Sequence, residues 1–337
     1  MQKVRWGVLG VSKIATTKVI PAMQRGEWCK IAGIASRDRA KAQEAARSLG
    51  IPKAYGSYEE MLEDPEIEAV YNPLPNHMHV PWSIRAAEAG KHVLCEKPIG
   101  MNVAETLELM AARDRTGVVM GEAFMVQSHP QWLRTMELVR AGRIGQLRSA
   151  VGSFSYFKLD AGNIRNIREY GGGGLMDIGC YCINFARLFA GAEPTAIHAA
   201  VNFHPGGVDE LAVATLVFPN NIVSSFTCGM CLHADNTAYL CGEDGFIEVP
   251  VPWKPAPDNS KFIVTRGNEP KMDKPKSVAP PPREVRSIDA PGDLYQMEAD
   301  DFAAAVLDSQ RPRITPEDSV GNMRVLDEMR RQIGLEF

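Results

Sequence analysis

What the 337 residues lack narrows the field before any motif is read. No apolar run approaches the ~18 residues that a bilayer-spanning helix needs, so membrane insertion is not expected. Lysines and arginines are scattered and the net charge is -4 at pH 7. Without a basic stripe to hold a phosphate backbone, nucleic acid is a poor partner and a small molecule a better one. Cysteines are few and odd in number, seven in all, and their spacing is not that of a disulfide framework. Cys228 and Cys231 have the spacing of half a zinc site, but no second Cys or His pair accompanies them, so no metal is expected. Signal-peptide features are also missing, because Met1, Gln2 and Lys3 lead straight into an apolar strand. Reduced thiols and a cytoplasmic location are the corresponding expectations.

What is present is an ordinary globular composition, 45% apolar and 23% charged, in a chain longer than most single domains. Residues 1–123 alternate short apolar runs with amphipathic stretches, the pattern of β-α-β units around a parallel sheet. Strands are expected at 4–9, 30–35, 69–71, 92–95 and 118–120, and a first helix over 13–24 that Pro21 bends or shortens. After residue 123 strands cluster, with helices at 130–141 and 175–189. The fold class expected is therefore an α/β Rossmann domain, residues 1–123, followed by an α+β domain, residues 124–337, with a large, mostly antiparallel open sheet. Nine prolines from Pro250 to Pro282 mark loops and edge strands. Helices over 294–307 and 316–331 close the chain and are free to pack back on the first domain.

Gly10-Val11-Ser12-Lys13-Ile14-Ala15 fits the dinucleotide fingerprint at its first and last glycine-type positions, after a strand and at the start of a helix. Ser12 replaces the middle glycine, so its side chain must point outward or hydrogen-bond a phosphate oxygen. Gly7, Gly10, Ser12, Lys13 and Ile14 are the cofactor candidates at this turn. At the end of the second strand an acidic residue would accept from a ribose hydroxyl; here Ser36 and Arg37 stand instead. A guanidinium matches a 2′-phosphate and contributes roughly 10- to 100-fold in affinity, which favours NADP(H) over NAD(H). The plainer reading of Arg37 is a solvated residue before a helix.

Lys97 follows a buried strand, at the carboxyl edge where ligands of open α/β sheets bind. The loop from Asn72 to His79 lies on the same edge, which makes Pro73, Asn76, His79 and Glu96 further cofactor candidates. Asp177 and Tyr181 are four residues apart on an expected helix, so both face one ligand. Four glycines, Gly171 to Gly174, precede them and let a substrate or nicotinamide approach the backbone. Hydride loss from an alcohol requires removal of the hydroxyl proton in step. Tyr181 is one carrier, its phenol lowered by the Lys97 ammonium while Asp177 orients the lysine or a substrate hydroxyl; Lys97 itself is the other.

Glu96-Lys97-Pro98, the Pro75-Asn76-x-x-His79 loop, the fingerprint and the Gly172–Tyr181 segment together resemble the Gfo/Idh/MocA family. The variant at Tyr181 and the Ile51–Glu60 segment are most similar to the branch containing dimeric dihydrodiol dehydrogenase and NADP-dependent D-xylose 1-dehydrogenase. The resemblance implies a second-domain sheet that joins a homodimer or homotetramer. His129 and Asn184 are substrate candidates, although Val126, Gln127 and Asn184 depart from the usual family residues and put the substrate in question. Two function classes fit. One is an NADP-dependent dehydrogenase or reductase acting on CH-OH groups of a sugar, polyol or diol, with aldose C1 oxidation preferred. The other is a non-catalytic sensor of the same fold, which the retained Lys97, Asp177 and Tyr181 disfavour.

Overall fold

The computed structural model describes residues 2–160, 162–267 and 282–335. Six strands, β1 (Val4–Leu9), β2 (Cys29–Ala35), β3 (Lys53–Tyr55), β4 (Ala69–Asn72), β5 (His92–Glu96) and β6 (Met120–Ala123), form a wholly parallel sheet in the order β3-β2-β1-β4-β5-β6. Strand order reverses beside β1, so a crevice opens at the carboxyl ends of β1 and β4. Helices α1 (Ile20–Arg25), α2 (Arg39–Leu49), α3 (Tyr58–Leu62), α4 (His79–Glu88) and α5 (Val103–Thr116) cover its faces. Local chemistry sets their ends. The Asp38 carboxylate caps α2 by accepting from Ala40 N and Lys41 N, and Gly50 ends it at φ 65°. The expected first helix is interrupted: Ala15–Val19 is a π-helical segment that precedes α1.

Beyond α6 (Pro130–Arg140), an eight-stranded sheet is built from β7 (Leu147–Ser155), β8 (Ala196–Phe203), β9 (Asp209–Val217), β10 (Val223–Gly229), β11 (Thr237–Gly242), β12 (Gly245–Pro250), β13 (Ser260–Arg266) and β14 (Arg283–Ile288). Its order is β14-β13-β12-β11-β7-β10-β9-β8, antiparallel except between β7 and β10. The apolar core packs against one face through α7 (Cys180–Ala190). The opposite face exposes Val213, Val223 and Val285. β13 is not the edge strand expected of the proline-rich stretch: it carries no proline and pairs on both sides, while Pro250, Pro252, Pro255 and Pro257 end β12 or lie in the connector before β13. Part of that stretch, 268–281, lies outside the described residues.

The last two helices lean on the first domain. On α8 (Leu294–Leu307), Phe302 packs 5.5 Å from the Trp6 ring, and Asp300 accepts from Glu27 N and Trp28 N. On α9 (Pro316–Gln332), Asp327 accepts from Val103 N at 2.8 Å and Glu317 pairs with Arg113. Among the described residues no helix is long and apolar enough to cross a membrane.

Candidate active site

Lys97 is the first residue past β5, and its ammonium reaches across to the second domain. Its Nζ donates to Asp177 O at 2.6 Å and to Asp177 Oδ1 at 3.2 Å, with the two side chains only 12% and 14% exposed. Asp177 Oδ2 pairs with Arg165 Nε at 2.8 Å and accepts from the Tyr156 hydroxyl. One carboxylate thus serves two cations and a phenol. Burial opposes its charge, but Lys97 and Arg165 outweigh burial and hold its pKa well below the usual carboxylate range. Burial likewise opposes the charge of Lys97, and the neighbouring negative groups, Asp177 first and Glu96 with it, together outweigh burial and raise the lysine.

The backbone that delivers Asp177 is irregular. Leu175–Gly179 is a π-helical turn ahead of α7, a deviation common where side chains are re-aimed at a site. The glycine run before it is filled by protein and not left open for a ligand as expected. Gly173 N donates to Arg165 O at 2.8 Å, and a Cβ at Gly172 would lie 2.4 Å from that oxygen. At Gly173, φ is 117° and a Cβ would lie 2.2 Å from Asp209 Oδ1. Asp209 in turn accepts from Leu175 N at 2.6 Å. The glycines therefore let the chain fold tightly enough to set Arg165 beside Asp177.

Tyr181 lies beneath Lys97, but with its ring, not its hydroxyl. Lys97 Nζ sits 4.9 Å from the ring centroid, a cation–π contact. The hydroxyl points away and donates to Met125 Sδ at 3.1 Å, with Phe124 and Phe154 edge-on around the ring. Burial, with Glu96 adding, pushes the phenol well above its ordinary pKa, opposite to the expected lowering by Lys97. The ammonium is on the ring face and cannot stabilise a phenolate oxygen from there.

The two substrate candidates do not reach this cluster. His129 is fully buried; its Nδ1 accepts from Gln131 N and its Nε2 donates to Ala256 O at 3.1 Å. Asn184 accepts from Gln127 Nε2 at 2.8 Å inside the core. Both hold structure in place.

The cofactor candidates divide in the same way. Gly10 makes the turn at φ 87° and donates to Ala35 O, while Ser12 Oγ accepts from Ala15 N at 3.3 Å. Lys13 is exposed and Ile14 packs against the core. Gly7 is inside β1, not at the turn: a Cβ there would lie 2.7 Å from Met61 Sδ, so its smallness serves sheet packing. Ser36 Oγ accepts from Asp38 N, and Arg37 is exposed beside the Tyr58 hydroxyl. Pro73 is buried. Asn76 Nδ2 donates to Gly171 O at 2.8 Å, tying the loop to the second domain. His79 is buried, with Nδ1 2.8 Å from Pro98 O and Nε2 2.7 Å from Leu74 O. Burial pushes it down to about 4 despite the two carbonyls, and both of its ring nitrogens are taken up between Pro98 O and Leu74 O beside the Lys97–Pro98 turn. Glu96 accepts from the Tyr71 hydroxyl at 2.6 Å, and burial raises its pKa.

Two polar groups that meet Asp177 were not singled out from sequence. Tyr156 directly follows β7, and Arg165 lies in an irregular stretch whose spacing carries no signal. Among the described residues no group of three or more His, Cys, Asp or Glu is placed to hold a metal ion.

A dinucleotide turn, a lysine one residue beyond a parallel strand and a carboxylate from a second domain define an oxidoreductase with a Rossmann domain. Residues 4–124 match the oxidoreductase family with the NAD-binding Rossmann fold, and residues 132–248 match the GFO/IDH/MocA C-terminal domain. The chain belongs to the Gfo/Idh/MocA family. An uncharacterized oxidoreductase of Rhizobium meliloti is 41% identical over 98% of this chain and 97% of its own. A D-xylose 1-dehydrogenase (NADP(+)) of Haloferax volcanii is 36% identical over 96% of this chain and 95% of its own. A 3-ketoreductase from Actinomadura kijaniata, solved with NADP and TDP-benzene, is similar with a TM-score of 0.86 at 29% identity, over 98% of each chain.

Proposed function

We propose that this protein is an NADP(H)-dependent dehydrogenase or reductase acting at a CH-OH carbon of a sugar, polyol or diol, with oxidation of an aldose at C1 the preferred case. The observation that carries the reading is Lys97, held by Asp177 on the same sheet edge as the Gly10 turn. The relatives' names support it: one dehydrogenase carries NADP(+) and a pentose in its name, and the ketoreductase was solved with NADP.

The chain's own residues fit such a cofactor. Gly10 leaves the turn without a Cβ, and the Ser12 hydroxyl is turned back onto Ala15 N and obstructs nothing. Gly10, Ser12 and Lys13 would lie at the pyrophosphate, Ser36 and Arg37 at the ribose and 2′-phosphate, and Asn76 and Glu96 toward the nicotinamide. Arg37 offers a fork suited to a phosphate, which favours NADP(H) over NAD(H). When bound, NADP(H) accepts or supplies the hydride.

Lys97 handles the proton. Its ammonium gives a proton to a carbonyl oxygen in reduction; in oxidation the neutral amine takes one from the alcohol, so oxidation speeds up as pH rises toward the raised lysine pKa. Asp177 steers the ammonium, and the Tyr181 ring supports it from below. The exposed Val213, Val223 and Val285 face fits a homodimer or homotetramer joined through the second sheet. The free cysteines fit a reducing cytoplasm.

The test is a panel of aldoses, polyols and diols with NADP and NAD, followed through the absorbance of the reduced cofactor. Lys97→Met is expected to lose roughly 10²- to 10⁴-fold in kcat while NADPH binding, read by fluorescence, survives. Near-normal turnover of that variant would sink the assignment. A larger loss in Tyr181→Phe than in Lys97→Met would move the proton to the tyrosine. Cofactor binding with no turnover of any substrate would make the protein a sensor.

A further inference from the structure

Asp209 opens β9 and is fully buried, a costly place for a carboxyl. Its Oδ2 accepts from Leu175 N at 2.6 Å, and among the described residues its Oδ1 has no hydrogen-bond partner. An apolar side chain would leave no such oxygen orphaned, so packing alone does not account for a carboxyl here.

The turn that it holds does. The helical segment that begins at Leu175 continues through α7 to Ala190, and its first N–H groups need acceptors. A local cap is missing, because Gly174, which precedes the segment at φ -64° and ψ -36°, has no side chain to supply one. Asp209 supplies it from a strand 34 residues further along the chain. The fit is close on both sides: a Cβ at Gly173 would lie 2.2 Å from Oδ1 and one at Gly174 3.2 Å from Oδ2. Two residues past Leu175 stands Asp177, whose N donates back to Gly173 O at 3.0 Å. Lys97 Nζ donates to the backbone oxygen of Asp177 at 2.6 Å as well as to its carboxylate at 3.2 Å. The shorter of these contacts is to the backbone of the turn. Where the turn lies therefore decides where the ammonium lies, and the cap on Leu175 N is one of the few bonds that fix it.

We infer that Asp209 is a positioning residue for the proton transfer, a remote cap that fixes the Leu175–Gly179 turn and, through Asp177 O and Oδ1, the ammonium of Lys97. The inference rests on the dehydrogenase reading above and adds a residue that acts through the turn. Burial raises the Asp209 carboxyl to about 7, against the bond from Leu175 and the charge of Arg330. Oδ2 accepts from Leu175 N whether the group is neutral or ionised, so an amide in its place serves as the conservative mimic.

Asp209→Ala, Asp209→Asn and Gly174→Ala in the whole protein test it. Each is assayed for kcat, KM and the pH profile of NADP-linked alcohol oxidation. The titration of Lys97 is followed by NMR of protein labelled with 13C-lysine, Lys97→Met identifying its resonance. Asp209→Ala is expected to lower kcat roughly 10-fold, the worth of one buried acceptor, with KM and NADPH affinity little changed. The Lys97 titration, and with it the oxidation profile, moves to lower pH as the hold of Asp177 loosens. Asp209→Asn keeps an acceptor at Leu175 N and restores most of kcat and of the profile. Gly174→Ala crowds Oδ2 without removing a polar group and moves the titration the same way by less. A lower unfolding midpoint in Asp209→Ala, with kcat and the Lys97 titration unmoved, overturns the inference, because the cap would then serve stability alone. An Asp209→Asn variant as impaired as Asp209→Ala also overturns it. Should Asp209→Ala not fold, an unmoved Lys97 titration in Gly174→Ala does the same. A titration that follows Asp209 in a protein that turns over no sugar, polyol or diol keeps the positioning and removes the dehydrogenase. Turnover by the unaltered protein, with a Lys97 titration indifferent to all three changes, removes the positioning and keeps the dehydrogenase.

Discussion

The two walls of the cleft hold their chemical groups by different means. On the first-domain wall, Lys97 follows a strand whose neighbours β4 and β6 are paired to it along their length, so the lysine inherits its place from the sheet. On the second-domain wall, Asp177 stands on a π-helical turn and Arg165 on a one-turn 3-10 segment. There, a few side-chain bonds to carbonyls and one shared carboxylate do the positioning. A place set by a ladder of backbone bonds tolerates single losses; a place set by two or three contacts does not. Changes on the second-domain wall should therefore disturb Lys97 more than its own surroundings do.

On the second-domain wall the largest effect is expected from Asp177→Asn. Removing the charge takes away the carboxylate that Lys97 and Arg165 share, and kcat should fall by roughly 10²- to 10³-fold. The pH profile provides the sharper readout. Asp177 leads the charges that raise Lys97 against burial, with Glu96 adding, so in the variant burial gains weight and the lysine pKa falls. Alcohol oxidation, which uses the neutral amine, should then shift to lower pH, and the fall of carbonyl reduction with rising pH should begin at lower pH as well. A loss of kcat with an unmoved profile would mean that Asp177 fixes geometry alone and does not set the charge of Lys97.

The same contrast explains what could be read from residues alone. The Rossmann half was legible because parallel strands buried on both faces form short apolar runs and because helix ends carry their own chemistry, Asn102 capping α5 by accepting from Glu105 N and Gly117 ending it. Lys97 was legible through its place after such a strand. Asp177 was legible too, through its glycine-flanked segment, but the partners that tune it were not. Arg165 is brought to it by a backbone bond from Gly173 across an irregular loop, a contact that leaves no periodic trace. His129 shows the converse: a histidine near a site read as a contact, whereas its two nitrogens are used up within the protein scaffold. Gly7 was misplaced for a similar reason, since a glycine required by Met61 across the sheet looks in sequence like one required by a ligand.

The first-domain wall should be broken by a change in ligand charge and not in geometry. Arg37 is exposed beside the Tyr58 hydroxyl, so Arg37→Asp should leave the protein folded and act on cofactor choice. Loss of one charge-assisted contact, with repulsion added, should lower the ratio of NADP to NAD affinity by roughly 10- to 100-fold or more. Paired fluorescence titrations with NADPH and NADH measure it. An unchanged ratio would leave Arg37 as a solvated residue and the cofactor preference without a physical basis.

The smallest effect tests whether the two walls act as one. Asn76 on the first domain donates to Gly171 O on the second at 2.8 Å, and next to it His77 stacks on Tyr170 with centroids 4.8 Å apart and planes 19° from parallel. Together they clasp the loop before α4 to the segment that ends in the glycine run. A net hydrogen bond of this kind contributes about 0.5–1.5 kcal/mol, so Asn76→Ala should raise the NADPH dissociation rate by roughly 2- to 10-fold in stopped-flow fluorescence. Tyr170→Ala should add to it, since stacking and hydrogen bonding are separate contacts to the same segment. If neither variant changes the rate, the clasp does not hold the cofactor, and the second-domain wall keeps its place through Asp177 and Lys97 alone. If both do, cofactor retention and the placement of Arg165 are coupled through Gly171–Gly173, and the Asp177→Asn profile should shift further in the clasp-free background.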